Sequence, residues 1–142
     1  MNFDELKSEL VKYGAKAARP APDELVRTQA ALQGMGKLMM PAGLVEFFQN
    51  FGAVVLGDAE IFAPMPAAIG KMRTRTIIEV NGDMSASTPI GGKTVFGRNQ
   101  LFWLVVGDDF KFHLLDLYTM RPAKAYDDVN LAVRDCLLVG AL

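Results

Sequence analysis

A chain of 142 residues with 51% hydrophobic and 22% charged side chains has the size and composition of one globular domain, which excludes a disordered, collagen-like or low-complexity polypeptide. Its 15 Lys and Arg balance 16 Asp and Glu to a formal net charge of -1 with no strong clustering of either sign, so the basic footprint of a general nucleic-acid binder is absent. No run reaches the roughly 18 apolar residues of a membrane span, and the single Cys136 excludes an intrachain disulfide framework; with the charged start Asp4, Glu5, Lys7 and Glu9, these features lead us to expect a cytoplasmic protein.

Asn2 and Glu5 have the spacing of a capping box, and Phe3, Leu6 and Leu10 then fall on one helical face before Gly14. After the break Arg19-Pro20-Ala21-Pro22, Asp23 can cap a second helix presenting Leu25, Val26 and Leu32 and stopping at Gly34-Met35-Gly36. Pro41 suits the first position of a third helix, whose Leu44, Val45, Phe47, Phe48 and Phe51 form a wide apolar stripe, with Gly52 as a left-handed terminator. The period then changes to two short strands, Val54 to Leu56 and Ala59 to Phe62, joined by Gly57-Asp58 and ended by Pro64 and Pro66.

Periodicity leaves Ala67 to Val80 open between helix and strand, because Ile69, Met72, Thr76 and Val80 share a helical face while Thr74, Thr76, Ile78 and Val80 alternate. Asn81-Gly82-Asp83 and the Ser/Thr run to Thr88 read as a polar loop. Strands are expected at Thr94 to Phe96, Gln100 to Val106, Lys111 to Leu117 and Pro122 to Tyr126, with turns at Gly107-Asp108-Asp109 and Thr119-Met120-Arg121. Asp127 or Asp128 can cap a last helix with Val129, Val133 and Cys136 or Leu137 on one face and Gly140 at its end. The order implies an α+β domain over residues 1–142: an antiparallel sheet of about four to six strands with helices at the N-terminus, middle and C-terminus, residues 1–33 forming an N-terminal helical extension.

Motifs for chemistry fall short. Gly91-Gly92-Lys93-Thr94 has the tail of a phosphate-binding loop, but Ser87 stands where its first glycine belongs and a strand follows instead of a helix. Gly34-Met35-Gly36 lacks the third glycine of a dinucleotide fingerprint. In a strand His113, the one histidine, faces away from Asp116, and one His with one distant Cys cannot by themselves build a zinc site. Ser85 and Ser87 lack a nucleophile elbow. Cys136 reads as a core residue, Asp108-Asp109 and Asp127-Asp128 as turn and cap residues, Lys71, Arg73 and Arg75 as a solvated basic face, and Met35, Met39, Met40, Met65 and Met72 as gap fillers. We therefore expect no cofactor and no metal.

Met40-Pro41 leading a Phe-rich helix to Gly52, a hairpin, a proline-marked segment, Pro89-Ile90-Gly91, strands ending Leu114-Leu115-Asp116-Leu117 and a closing helix together resemble the SUKH superfamily, known from fungal cell-wall assembly regulators of the Smi/Knr type. The resemblance covers roughly residues 30–139 and lies in the order of its short motifs. The family's Leu-Pro is Met40-Pro41 here, its Asn-Gly is Asn50-Phe51-Gly52, and its later Gly-Asp is Gly97-Arg98. The resemblance favours a helix for Ala67 to Val80. It implies a non-enzymatic protein-binding module, and for the bacterial branch an immunity protein that neutralises a toxin domain stoichiometrically. Such a module needs aromatic or charged anchors, for which Trp103, Tyr118, Tyr126 and the Asp108-Asp109 turn are the candidates. Trp103, in a strand apolar on both faces, reads first as a core residue, since a central strand side chain is usually buried. The alternatives are a domain for a small apolar ligand in a closed pocket of methionine and phenylalanine, or a small hydrolase in which His113 converges with Asp116, Asp127 or a serine.

Overall fold

The computed structural model describes residues 1–84 and 90–139. Ser85 to Thr88, Pro89 and Gly140, to which the loop, the serine arrangement, the Pro-Ile-Gly motif and the last helix stop were assigned in part, lie outside them.

Helix α1 (Phe3–Lys12) begins at an Asn2 cap: Asn2 Oδ1 accepts the Glu5 N–H at 2.8 Å, and Leu6 and Leu10 turn inward. Strand β1 (Lys16–Ala17) follows, then a 3-10 turn (Pro22–Glu24) and α2 (Leu25–Gly34). Asp23 does not cap α2, because it sits inside that 3-10 turn and the helix continues from Glu24 without a side-chain cap. Leu25 and Leu32 are buried but Val26 is exposed; α2 is fastened by polar groups instead. Gln29 brackets the Met40 peptide, donating from Nε2 to Met40 O at 2.8 Å and accepting the Met40 N–H at 2.7 Å.

Helix α3 (Ala42–Asn50) starts one residue after Pro41, which serves as the cap. It buries Leu44, Phe47 and Phe48, and the rings of Phe47 and Phe51 stack 4.9 Å apart. Gly52 is needed for a different reason than expected. A Cβ there would sit 2.6 Å from Ala18 O and 2.7 Å from Arg19 O, so it is close approach to the β1 segment, not a left-handed turn, that demands glycine.

Strands β2 (Val54–Leu56) and β3 (Ala59–Ile61) form the expected hairpin, with Gly57 at φ +59. The segment from Ala67 to Val80 is neither one helix nor one strand. It makes a small hairpin, β4 (Ala68–Ile69) and β5 (Met72–Arg73), before α4 (Ile77–Met84), which runs through Asn81-Gly82-Asp83 where a loop was expected. The tertiary reason is visible at Asn81: its Nδ2 donates to Val95 O at 2.8 Å and its Oδ1 accepts the Val95 N–H at 2.9 Å. Beyond the end of β3, this side chain takes the place of a neighbouring strand.

Strands β6 (Thr94–Arg98), β7 (Phe102–Val106), β8 (Phe112–Asp116) and β9 (Pro122–Tyr126) complete an antiparallel sheet of order β1-β2-β3-β6-β7-β8-β9. Among the described residues the sheet has seven strands, the six expected and two-residue β1, which exists only through pairing with Val54 and Val55. Helix α5 (Val129–Leu137), capped by Asp128 through the Asn130 N–H at 2.9 Å, crosses β3 and β6 to β9. Buried Asn99 locks the β6–β7 turn to it, accepting the Leu101 and Phe102 N–H groups and donating to Cys136 O. One core gathers Leu6, Leu10, Leu25 and Leu32 with Phe47, Phe48, Phe96, Leu104 and Val133, so the N-terminal 33 residues are built into it.

Candidate functional site

Alternation along β7 and β8 divides the candidate residues between two faces of the sheet. Phe112 and Tyr126 stand opposite each other in the β8–β9 pair, and Leu114 opposite Lys124. Both Tyr126 and Lys124 reach Asp135 of α5, so this is the helix-covered face. The other face therefore carries Trp103, Val105, His113 and Leu115, with Arg98 directly opposite Trp103.

Tyr126 is thus not a surface anchor. It is buried, its hydroxyl donates to Asp135, and burial followed by that bond pushes its phenol well above the ordinary value. Tyr118 is the opposite case, 88% exposed in the turn between β8 and β9. Trp103 is half-buried, which resolves its two readings: one edge packs against the core while Nε1 donates to Leu117 O at 3.3 Å. The Arg98 guanidinium lies 5.1 Å from the Trp103 ring centroid. Trp103, Arg98 and Tyr118 share one end of the sheet, since Leu117, which receives the indole N–H, precedes Tyr118 in the chain. Arg98 carried a legible signal: it and Trp103 flank a short turn and become cross-strand neighbours once β6 and β7 pair.

Asp108 and Asp109 lie at the other end, in the β7–β8 turn. Here His113 meets a carboxylate that the alternation within β8 does not reach. The turn folds Asp109 back so that His113 Nε2 is 2.9 Å from Oδ1 and 3.0 Å from Oδ2. Asp116 faces away from His113, as the alternation predicts, and accepts the Tyr118 and Thr119 N–H groups. The bond from His113, then that from the Lys111 N–H, holds the Asp109 carboxyl below its ordinary range. Gly107 is required beside this pair, because a Cβ would fall 2.7 Å from His113 Cδ2. Phe110 closes the turn at φ +62 with 63% of its surface exposed, a combination the composition of the turn did not signal.

A small cleft of about 250 Å³ joins Lys93, Gly107, Asp109, His113, Leu115 and Pro122. Neither Asp116 nor Asp127 converges on His113; Asp127 instead faces Lys111 at 3.6 Å, an exposed contact of little energetic weight. Cys136 is fully buried, and desolvation pushes its thiol up to about 12. Thr94, the end of the Gly-Gly-Lys-Thr motif, opens strand β6 and no helix. In the basic segment, Arg73 pairs with Glu79 at 2.8 Å and Arg75 lies over the Phe62 ring. Among the described residues no three His, Cys, Asp or Glu side chains form a group that could hold a metal ion, and no helix is long and apolar enough to cross a membrane. No family model matches the chain, and neither a curated protein nor a solved structure matches it.

Proposed function

We propose that this protein is a recognition module that binds another protein stoichiometrically, without chemistry, through the end of the sheet that carries Trp103, Arg98 and Tyr118. The observation behind this reading is the Trp103–Arg98 pair. A large ring held by its indole N–H to Leu117 O, with a guanidinium over it, is on the sheet face away from α5 and remains partly open to solvent. Trp, Tyr and Arg supply a disproportionate share of interface energy because they bury large areas with few rotors to freeze. The state of the nucleophilic candidates agrees: the one thiol is sealed in the core and the one imidazole is clasped by a carboxylate. The resemblance to SUKH proteins supports the narrower reading, an immunity protein acting in the cytoplasm on a toxin domain.

The test is affinity capture of the tagged protein from its native cells at low and moderate salt, with mass spectrometry of what elutes in stoichiometric amount. The expected result is one protein partner, with Trp103→Ala weakening its binding about 30-fold or more, the cost of truncating a central aromatic. Because Trp103 is the one tryptophan in the chain, its fluorescence should shift to the blue on binding. For the immunity reading, an equimolar amount must abolish the partner's own activity. Absence of a partner at every salt, or full retention by a folded Trp103→Ala variant, would overturn the proposal.

A further inference from the structure

The sheet stops at β1, and the way it stops leaves a groove. The extended run continues past Ala17, with the Ala18 N–H donating to Ala53 O at 2.8 Å and Ala18 O accepting the Gly52 N–H at 3.2 Å. Alternate residues of an antiparallel strand direct their peptide groups to opposite sides. Ala18 points its groups at the β2 side, so Ala17 directs its own N–H and C=O outward, along the edge of the sheet.

Residues of helix α1 face that edge across a cleft of about 380 Å³, with Lys7, Leu10 and Val11 from the helix on one wall and Ala17, Ala18 and Arg19 on the other. Phe51 and Val54 form its floor. Small side chains at the edge keep the cleft open, and Val11, 69% exposed, offers an apolar contact without losing one inside the protein. An exposed sheet edge is where an extended peptide adds as a strand, with main-chain bonds giving affinity and side-chain contacts giving specificity.

The charge of the groove selects the peptide. Lys7 and Arg19 are exposed, and among the described residues neither forms an ion pair. Of the acids on α1, Glu9 is engaged by Arg134 at 3.1 Å on the α5 side, and Asp4, one turn before Lys7, lines a neighbouring cleft with it and not the groove itself. We propose that the groove takes an extended acidic segment of a partner protein as an added strand, its backbone bonding to Ala17 and its carboxylates meeting Lys7 and Arg19. This rests on the reading of the protein as a recognition module and gives it a second contact surface, apart from that of Trp103.

The probe is a phage-displayed library of random short peptides, with enriched sequences resynthesised carrying fluorescein. The expected result is enrichment of acidic sequences whose binding slows hydrogen exchange of the Ala17 amide. Lys7→Glu combined with Arg19→Glu should weaken them about tenfold or more, and peptides with lysine in place of their acids should regain binding to that variant. Both substituted side chains are exposed, so the fold tolerates the change, which circular dichroism checks. A library without enrichment, enriched peptides without acidic bias, protection at another surface, or affinity indifferent to the charge reversal would each overturn the proposal. So would self-association of the protein through the Ala17 edge. Failure here with Trp103-dependent capture intact removes the groove alone, whereas failure of capture removes the recognition reading itself.

Discussion

Asp109 holds His113 with both carboxylate oxygens, at 2.9 and 3.0 Å from Nε2, while its Oδ1 also takes the Lys111 N–H at 3.0 Å. One side chain thus closes the β7–β8 turn twice, once to the backbone and once across the turn. Its carboxyl is held below the ordinary 3.8, first by His113 and then by the Lys111 N–H. A lowered carboxyl stabilises the fold fully above the unfolded value of 3.8, and that contribution is lost as pH falls through the lower folded value. Asp109→Asn should therefore melt below the wild type at pH 7, with the gap closing in acid. A gap unchanged at the acid end would show that the charge of Asp109 contributes nothing.

Phe110, next in the chain, sits in the left-handed region at φ +62 with most of its ring in solvent. A side chain there strains the backbone by about 1–2 kcal/mol, and glycine's extra freedom in the unfolded chain offsets part of the relief. Phe110→Gly should raise stability by about 0.5–1 kcal/mol in denaturant melts. A lower stability would mean that the ring makes contacts its exposure conceals.

Asn81 brackets the Val95 peptide deep in the structure, with both residues fully buried. Asn81→Ala leaves the Val95 N–H and C=O without that partner inside the protein, at about 2–4 kcal/mol for the two groups together. Asn50→Ala is the control, since its exposed amide donates to Glu46 O of its own helix, and it should change stability by no more than about 0.5 kcal/mol. Equal effects of the two in chemical denaturation would deny Asn81 its role as a substitute strand.

That role also explains what could be read in the chain. Helices α1, α3 and α5 and the hairpins on either side of β7 were legible because their signals are local: a cap at Asn2 or Asp128, an apolar stripe at Phe47 and Phe48, a turn at Gly107. Asn81-Gly82-Asp83 has the composition of a loop, and its helical placement follows from a tertiary bond, to the side of β6 that β3 leaves unpaired at Val95. Lys16 and Ala17 have no strand pattern of their own. At the candidate site, the alternation of β7 and β8 was readable, but the covered face was not, because Asp135 had to be known to lie over Tyr126. The Asp109–His113 contact escaped because it crosses a turn, where strand parity does not apply.

Two glycines separate close approach from backbone conformation. At Gly52 an added methyl would meet the Ala18 and Arg19 carbonyls at 2.6 and 2.7 Å, and these belong to backbone that cannot swing aside. At Gly57 the space is open within 4 Å, and the only difficulty is its φ of +59. Gly52→Ala should cost about 3 kcal/mol by forcing the β1 segment away from α3, whereas Gly57→Ala should cost about 1 kcal/mol. The first should also speed hydrogen exchange at the Ala18 amide, whose partner Ala53 O adjoins the clash, and the second should not. The reverse order would contradict the tight packing of the β1 segment on residue 52.

Cys136 gives the last prediction, because its thiol reports on the integrity of the core. Burial first, and the nearby Asp135 second, push it from 9.0 up to about 12. The native protein should thus be inert to a thiol-specific reagent at neutral pH, with labelling proceeding only at the rate of opening. A raised acid group stabilises the fold fully below its unfolded value and loses that contribution as pH rises through the folded one, so stability should decline from 9.0 towards about 12. Tyr126, also raised, acts in the same direction above its ordinary 10.0. Cys136→Ala separates the two: it should flatten the part of the decline that begins at 9.0 and leave the later part in place. Cys136→Ser, which puts a hydroxyl into the same apolar space, should cost about 1–3 kcal/mol. Rapid labelling of the folded wild type would refute the burial of Cys136 on which these expectations stand.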